Sequence, residues 1–331
     1  MKSLLRTRLP LVLIAMVICA AAARGQNLIT SLPESDAVMS VNVRRIVTEA
    51  LPRVLPPEQL SQVQAALAKA KQVAGFDVAN IEAAVVGMRL NRSAPLSAPS
   101  MLLVMHGSFN ADALVSLLKI GLSGKTRDEK YGAKTLTVLK LSDLMKSGPA
   151  AATEAAIVAL DGGTLAVGAP AYVKAMLDTD ASKSRIKPEL AQLVGREPDA
   201  LIRIAALVPQ GLFAGLLPKD AQGSEEIGRL VGSIEQLYIG LNMDAQVFPL
   251  SLILKMNTAE NARAVAGLLQ MVTQMGANIQ DKNVKPIIDA LKITSEGTEV
   301  QVRTVLPQDL IASFVRGLLS PPAKPAEPKK Q

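Results

Sequence analysis

The sequence predicts an α+β fold, two similar units of mainly antiparallel sheet covered by helices. Three observations carry that expectation. Runs of apolar alternation are joined by short glycine-containing turns, the signature of antiparallel strand pairs. Segments with apolar residues at a spacing near 3.6 follow these strands, as covering helices do. Finally, three blocks recur in the same order in both halves of the chain, which is read as an internal duplication.

The recurrence is legible residue by residue. "PSMLLVMHGSFNADALVSLL" (Pro99 to Leu118) aligns without a gap on "LSLILKMNTAENARAVAGLL" (Leu250 to Leu269), with eight identities in twenty positions. Upstream, "IEAAVVGMRL" from Ile81 matches "IEQLYIGLNM" from Ile234, and "ESDAVMSVNV" from Glu34 matches "EPDALIRIAA" from Glu197. The offsets of 163, 153 and 151 residues drift one way, as loops of unequal length require.

In chain order, residues 1–25 read as a secretory signal peptide. Lys2, Arg6 and Arg8 form a basic head, Leu9 to Ile18 an apolar core, and Ala20 to Ala23 a small-residue cleavage region. The apolar run is shorter than the roughly 20 residues a spanning helix needs. Cleavage after Ala23 or after Gly25 fits equally, and either removes Cys19, the one cysteine. The residue before Cys19 is the large Ile18, which disfavours lipid attachment there. A mature chain without a thiol has no disulfide and no thiolate chemistry, so its stability must come from its core. Its length fits about two domains.

The first repeat is placed at residues 26–180. Asp36 sits in a turn before a strand, and a helix follows over Glu58 to Gly75, with Leu60, Val63, Leu67, Ala70 and Ala74 apolar and Gly75 as its C-terminal cap. A strand pair begins at Ile81, and a helix capped by Asn110 comes next. A hairpin turning at Asp161-Gly162-Gly163 leads to a helix near Pro170, with the glycines expected to supply positive φ. A polar linker spans 181–198. The second repeat, 199–320, follows the same plan: Asp199 in a turn, strands from Ile234, a helix after Thr258, a turn at Glu296-Gly297, and a helix after Pro307. In the helix after Thr258, the residues Ala262, Val265, Leu268, Leu269, Val272 and Met275 form a stripe expected to cover the sheet. The helices are expected on one face. The Pro- and Lys-rich tail 321–331 should be disordered.

Composition narrows the function. The formal net charge of +7 loses three units with Lys2, Arg6 and Arg8, and the chain has no Trp, three Tyr and five Phe. Neither a clustered basic face nor stacking aromatics is present, which sets nucleic-acid binding aside.

No cluster of chemistry-bearing residues stands out. His106, the one histidine, lacks the companions that nucleophilic catalysis or zinc binding needs, and is placed at a half-exposed strand end. In the alignment Met101, Leu103 and Met105 take the face of Leu252, Leu254 and Met256, read as the buried one, with His106 and Val104 on the other. "GLSGKT" (Gly121 to Thr126) fails as a phosphate loop, because two residues rather than four separate its glycines and a helix precedes it. The recurring acids Asp36/Asp199 and Glu82/Glu235 sit in turns or at strand starts, where they bond backbone donors. Met101, Met105, Met271 and Met275 are read as core filling rather than a copper site. Catalytic, cofactor-binding and metal residues are therefore assigned as none, and no cofactor is implied.

The strand-then-helix block at "SMLLVMHGSFNADALVSLL" and the closing block "AAIVALDGGTLAVGAPAYVKAML" resemble secreted bacterial families built on a duplicated domain of unknown function. That resemblance implies the fold and an exported location, and it transfers no catalytic motif. The expectation is a periplasmic or secreted, non-enzymatic protein of the cell envelope. Its partner would be an envelope protein or a lipid-like apolar ligand, with no nucleic acid and no transmembrane span after cleavage. The alternative is a hydrolase acting through carboxylates that sequence spacing does not reveal.

Overall fold

The computed structural model describes residues 28–74, 76–90, 99–141, 154–178, 185–209, 212, 224–245, 247–276 and 285–319. The expected signal peptide at residues 1–25 with Cys19, the expected cap Gly75 and the 321–331 tail lie outside the described residues.

The twelve strands among the described residues belong to one antiparallel sheet. They are β1 (Ala37–Val41), β2 (Ile81–Arg89), β3 (Ser100–Gly107), β4 (Thr126–Tyr131), β5 (Lys134–Lys140), β6 (Glu154–Asp161), β7 (Thr164–Gly168), β8 (Ile202–Leu207), β9 (Ile234–Leu241), β10 (Val247–Met256), β11 (Lys292–Glu296) and β12 (Glu299–Pro307). Their spatial order is β11-β12-β10-β9-β8-β1-β2-β3-β7-β6-β5-β4. Read outward from the central β1 and β8, the order is the same on both sides: β1-β2-β3-β7-β6 one way and β8-β9-β10-β12-β11 the other, with the β4-β5 hairpin added to the first. At the centre Ser40 stands opposite Arg203, each four residues after its aspartate, Asp36 or Asp199.

Among the described residues eight helices accompany the sheet: α1 (Pro57–Ala74), α2 (Ala111–Gly121), α3 (Pro170–Leu177), α4 (Pro188–Val194), α5 (Ser224–Gly232), α6 (Ala259–Gly276), α7 (Lys285–Asp289) and α8 (Gln308–Leu319). Short helical turns also occupy Val43–Val54. Local chemistry sets several helix starts. Asn110 Oδ1 accepts from Ala113 N at 2.9 Å, and Thr258 Oγ1 accepts from Asn261 N at 3.1 Å, both ordinary N-caps. Pro170 and Pro188 open α3 and α4, where their missing N–H groups cost nothing.

Helices cover both faces, not one. On the front face Val38, Val85, Leu102, Val104, Val138 and Val158 form a fully buried surface. Leu32, Tyr172 and Val173 of α3, and Leu190, Leu193 and Val194 of α4 close over it. The supposed linker 181–198 thus contains a helix seated in the main core. Its polar composition hid three apolar residues spaced to face one way. On the back face α2 rests on Met105, Leu139, Ile157 and Leu165 through Ala111 and Val115. The N-terminal half of α6 rests on Met256 and Val300 through Ala262, Val265 and Ala266, while α8 and the Val43–Val54 turns close over Phe248 and Leu201.

Strand β3 corrects the expected facing. Leu102 and Val104 are fully buried, whereas Met101 is 47 % exposed. The side expected as interior was the wrong one, because both sides of β3 are apolar.

The two hairpin turns also differ. Gly297 adopts positive φ (54°), as a tight turn demands, whereas neither Gly162 nor Gly163 does. Gly163 is required instead by close approach, since a Cβ there would lie 2.7 Å from the Gly107 carbonyl oxygen.

Candidate functional site

The residues weighed for chemistry do not converge. His106 is half-buried near the end of β3, and its Nδ1 lies 2.9 Å from Thr164 Oγ1 across the β3-β7 pair. It shares the front face with Val104, the core side rather than the open one. In the Gly121 to Thr126 stretch, α2 comes before and β4 after, the reverse of the strand-to-helix order that cradles phosphate.

Asp36 Oδ2 accepts from Leu90 N at 2.9 Å. Asp36 lies level with Leu207, and Asp199 lies beyond the opposite end of β8. Five strand residues between those levels put them more than about 15 Å apart, too far for a carboxylate pair. Glu82 pairs with Arg44 at 2.9 Å. Glu235 sits at the other end of the central strands, where its backbone oxygen accepts from Val208 N. Among the described residues no group of three His, Cys, Asp or Glu is placed to hold a metal ion.

A buried polar group does lie at the middle of the front face. Arg203 is 7 % exposed. It donates through Nη1 to the Val194 carbonyl at 3.1 Å and through Nη2 to Ser40 Oγ at 3.0 Å. Burial disfavours its charge and lowers its pKa. Burial likewise raises the pKa of the fully buried Tyr238 hydroxyl, and the charge of Glu197 reinforces that shift. Arg203 ties the C-terminal end of α4 to the sheet centre, favourable for a cation at a helix C-terminus. Its partners are structural.

Two features of the back side do present open apolar surface, and both escaped the sequence. The first is a groove of about 310 Å³. Val47 and Leu51 form one wall, and Leu60, Val63 and Leu67 of α1 form the other. All three α1 residues are only half-buried, and no side chain described in that helix is fully buried. One end of the groove is polar: Lys71 Nζ meets Asp77 Oδ2 at 3.1 Å. That hydrogen bond, followed by one from Ala79 N, holds the Asp77 carboxyl below its ordinary range.

The second feature is a set of nine large apolar side chains, among the described residues, more than one-third exposed. They are Met101 on β3, Leu117, Leu118 and Ile120 on α2, Ile227 on α5, Met271, Val272 and Met275 on α6, and Phe314 on α8. Every one belongs to the back face or its helices. Met271 and Met275, expected in the core, are 54 % and 71 % exposed, because α6 continues past its contacts with the sheet.

Comparison with known proteins yields distant resemblance alone. No family model matches the chain, and no curated protein matches it. Among solved structures it is similar to TP0453. Crystal form IV gives a TM-score of 0.48 at 10% identity, covering 87% of this chain and 95% of that one. Crystal form III gives 0.48 at 10% identity over 87% and 97%. Crystal form I gives 0.47 at 11% over 88% and 97%.

Proposed function

We propose that this is an exported, non-enzymatic binding protein of the cell envelope that engages an apolar ligand or a macromolecular partner through the helical back side of its sheet. The observation that carries the reading is the one-sided placement of all nine large apolar residues that are exposed among the described residues. Scattered singly over a surface such residues would need no explanation, but gathered on one side they mark an interaction surface. The scatter of the recurring carboxylates and the structural bonding of His106 and Asp36 favour binding over hydrolysis.

The same reading takes the chain as a duplicated unit. The matching strand orders on either side of β1 and β8, and the pairing of Ser40 with its counterpart Arg203, support it.

Site-specific photo-crosslinking in the host tests the surface. A crosslinking residue at Met271, Met275 or Phe314 should give discrete adducts, and one at Gln301 or Arg303, on the opposite face of β12, should not. Adducts that form equally from both sides, or that are absent from the back, would refute the proposal. Export is tested by sequencing the mature N-terminus, expected at Arg24 or Gln26; a retained Met1 in the cytoplasm would contradict it.

A further inference from the structure

We infer that the groove beneath α1 is a binding site for a single-chain amphiphile, with its acyl chain along Leu60, Val63 and Leu67 and an uncharged, hydrogen-bonding head at the Lys71–Asp77 pair. The inference rests on the binding reading above and assigns a ligand class to one part of that surface.

The groove has the shape of such a ligand. From Leu60 to Lys71 the helix advances eleven residues, about 16 Å at the α-helical rise, roughly the length of an extended chain of a dozen carbons. The walls along that length are apolar apart from Gln64, and the charged groups are confined to one end. Helix α1 lies over this space with half-buried Leu60, Val63 and Leu67, so its apolar stripe is incompletely filled by the chain's own atoms. A fully apolar ligand would leave the Lys71–Asp77 end unused.

The ion pair also selects the head. Asp77 accepts from Lys71 Nζ and Ala79 N, which fixes one carboxylate and one ammonium side by side. A carboxylate head would be drawn by Lys71 and repelled by Asp77, and a quaternary ammonium head would meet the converse. A glycerol or amide head donates to Asp77 and accepts from Lys71 without either penalty.

Isothermal titration calorimetry on the purified full chain, below micellar concentrations, tests this with three probes of equal chain length: 1-lauroylglycerol, laurate and dodecyltrimethylammonium. 1-Lauroylglycerol should bind tightest, and removing two carbons should weaken it by about tenfold. Ala68→Trp, which fills the groove from an exposed helical position, should weaken it by about tenfold or more at unchanged melting temperature. If Ala68→Trp fails to fold, Lys71→Met serves in its place, with an expected loss of about fivefold for the glycerol head. The double variant Met271→Glu/Met275→Glu should bind as the parent does. Tightest binding of a charged head, insensitivity to Ala68→Trp, or no binding of any probe would overturn the assignment. If the α6 double variant abolished binding and Ala68→Trp left it intact, the groove would be the wrong place while the back-side reading stood. The crosslinking pattern tests that reading separately.

Discussion

Adjacent residues Met101 and Leu102 offer the sharpest test of which face of the sheet is the interior. Successive strand residues point to opposite faces, so a one-residue error in register exchanges core and surface along the whole strand. Leu102 is fully buried in the main cluster with Val38, Val85 and Val104, whereas Met101 is 47 % exposed. Leu102→Ala removes buried apolar atoms and leaves a cavity that the tightly packed Val104 and Val158 cannot fill, so its cost should lie near 3 to 4 kcal/mol, about the middle of the range for such changes. At about 2 to 4 °C per kcal/mol for chains approaching this size, the melting temperature should fall by roughly 6 to 16 °C. Met101→Ala loses only partly buried surface and should cost about 1 kcal/mol or less. Calorimetric melting of both variants, with urea titration as a second measure, decides the matter. A larger loss from Met101→Ala than from Leu102→Ala would refute the facing, and with it the placement of α3 and α4 on the front.

Glycine replacements should divide by surroundings: Gly107→Ala places a Cβ 2.0 Å from the Asn80 carbonyl oxygen and should cost about 3 kcal/mol or more. Gly267→Ala in α6 meets nothing within 4 Å and should stabilise by about 0.5 to 1 kcal/mol, both read from urea midpoints. Arg127 holds Glu154, and Arg196 holds Glu299, below the ordinary carboxylate range. A depressed folded pKa gives stability that is present above the unfolded value, about 4.3, and lost as pH falls through the folded one. Carboxyl NMR titration should accordingly show Glu299 returning toward its ordinary value in Arg196→Gln, and an unmoved Glu299 would contradict the pairing. Asp36→Ala should cost about 1 kcal/mol by orphaning Leu90 N, while Asp36→Asn keeps an acceptor and should melt near the parent temperature.

The parts of the fold legible in the sequence are those set locally. The Asn110 and Thr258 caps, the Gly297 turn and the start of α3 at Pro170 depend on a few neighbouring residues whose backbone preferences are strong. The repeat alignment matched the sides of β3 and β10 but not their register: Leu103 pairs with Val86, whereas Leu254, its aligned partner, pairs with Leu237 rather than with Ile239. What it could not supply was the direction of the interior, since "MLLVM" (Met101 to Met105) is apolar on both sides and alternation has no phase to read. A strand buried on both faces gives that continuous apolar run. The core role of residues 188–194 was hidden for a related reason: Leu190, Ala191, Leu193 and Val194 face the core, but seven residues are too short a run to show a helical period. The groove was invisible because its second wall, Val47 and Leu51, belongs to short helical turns that pack with Phe248 and α8, far along the chain.

The closing helices explain how the exposed apolar surface came to lie on one side. Strands β7 and β12 end corresponding hairpins, yet α3 folds onto the front face and α8 onto the back. Ala169 separates β7 from α3, whereas β12 runs directly into α8 at Gln308, and one residue reverses the side from which a strand's chain departs. The front of β12 therefore keeps half-buried Gln301 and exposed Arg303, as an uncovered face requires. The back side gathers six of the eight helices, and there folding alone does not account for the sequence. The last two turns of α6 carry Met271, Val272 and Met275 beyond the residues that pack on the sheet, where Glu or Lys would match Met in helix propensity and better Val. Nothing in the core depends on those three side chains. Their presence at exposed positions, together with Leu117, Leu118 and Ile120 near the C-terminal end of α2, is what a surface that contacts something apolar would show, and what a surface suited only to stability and solubility would lack.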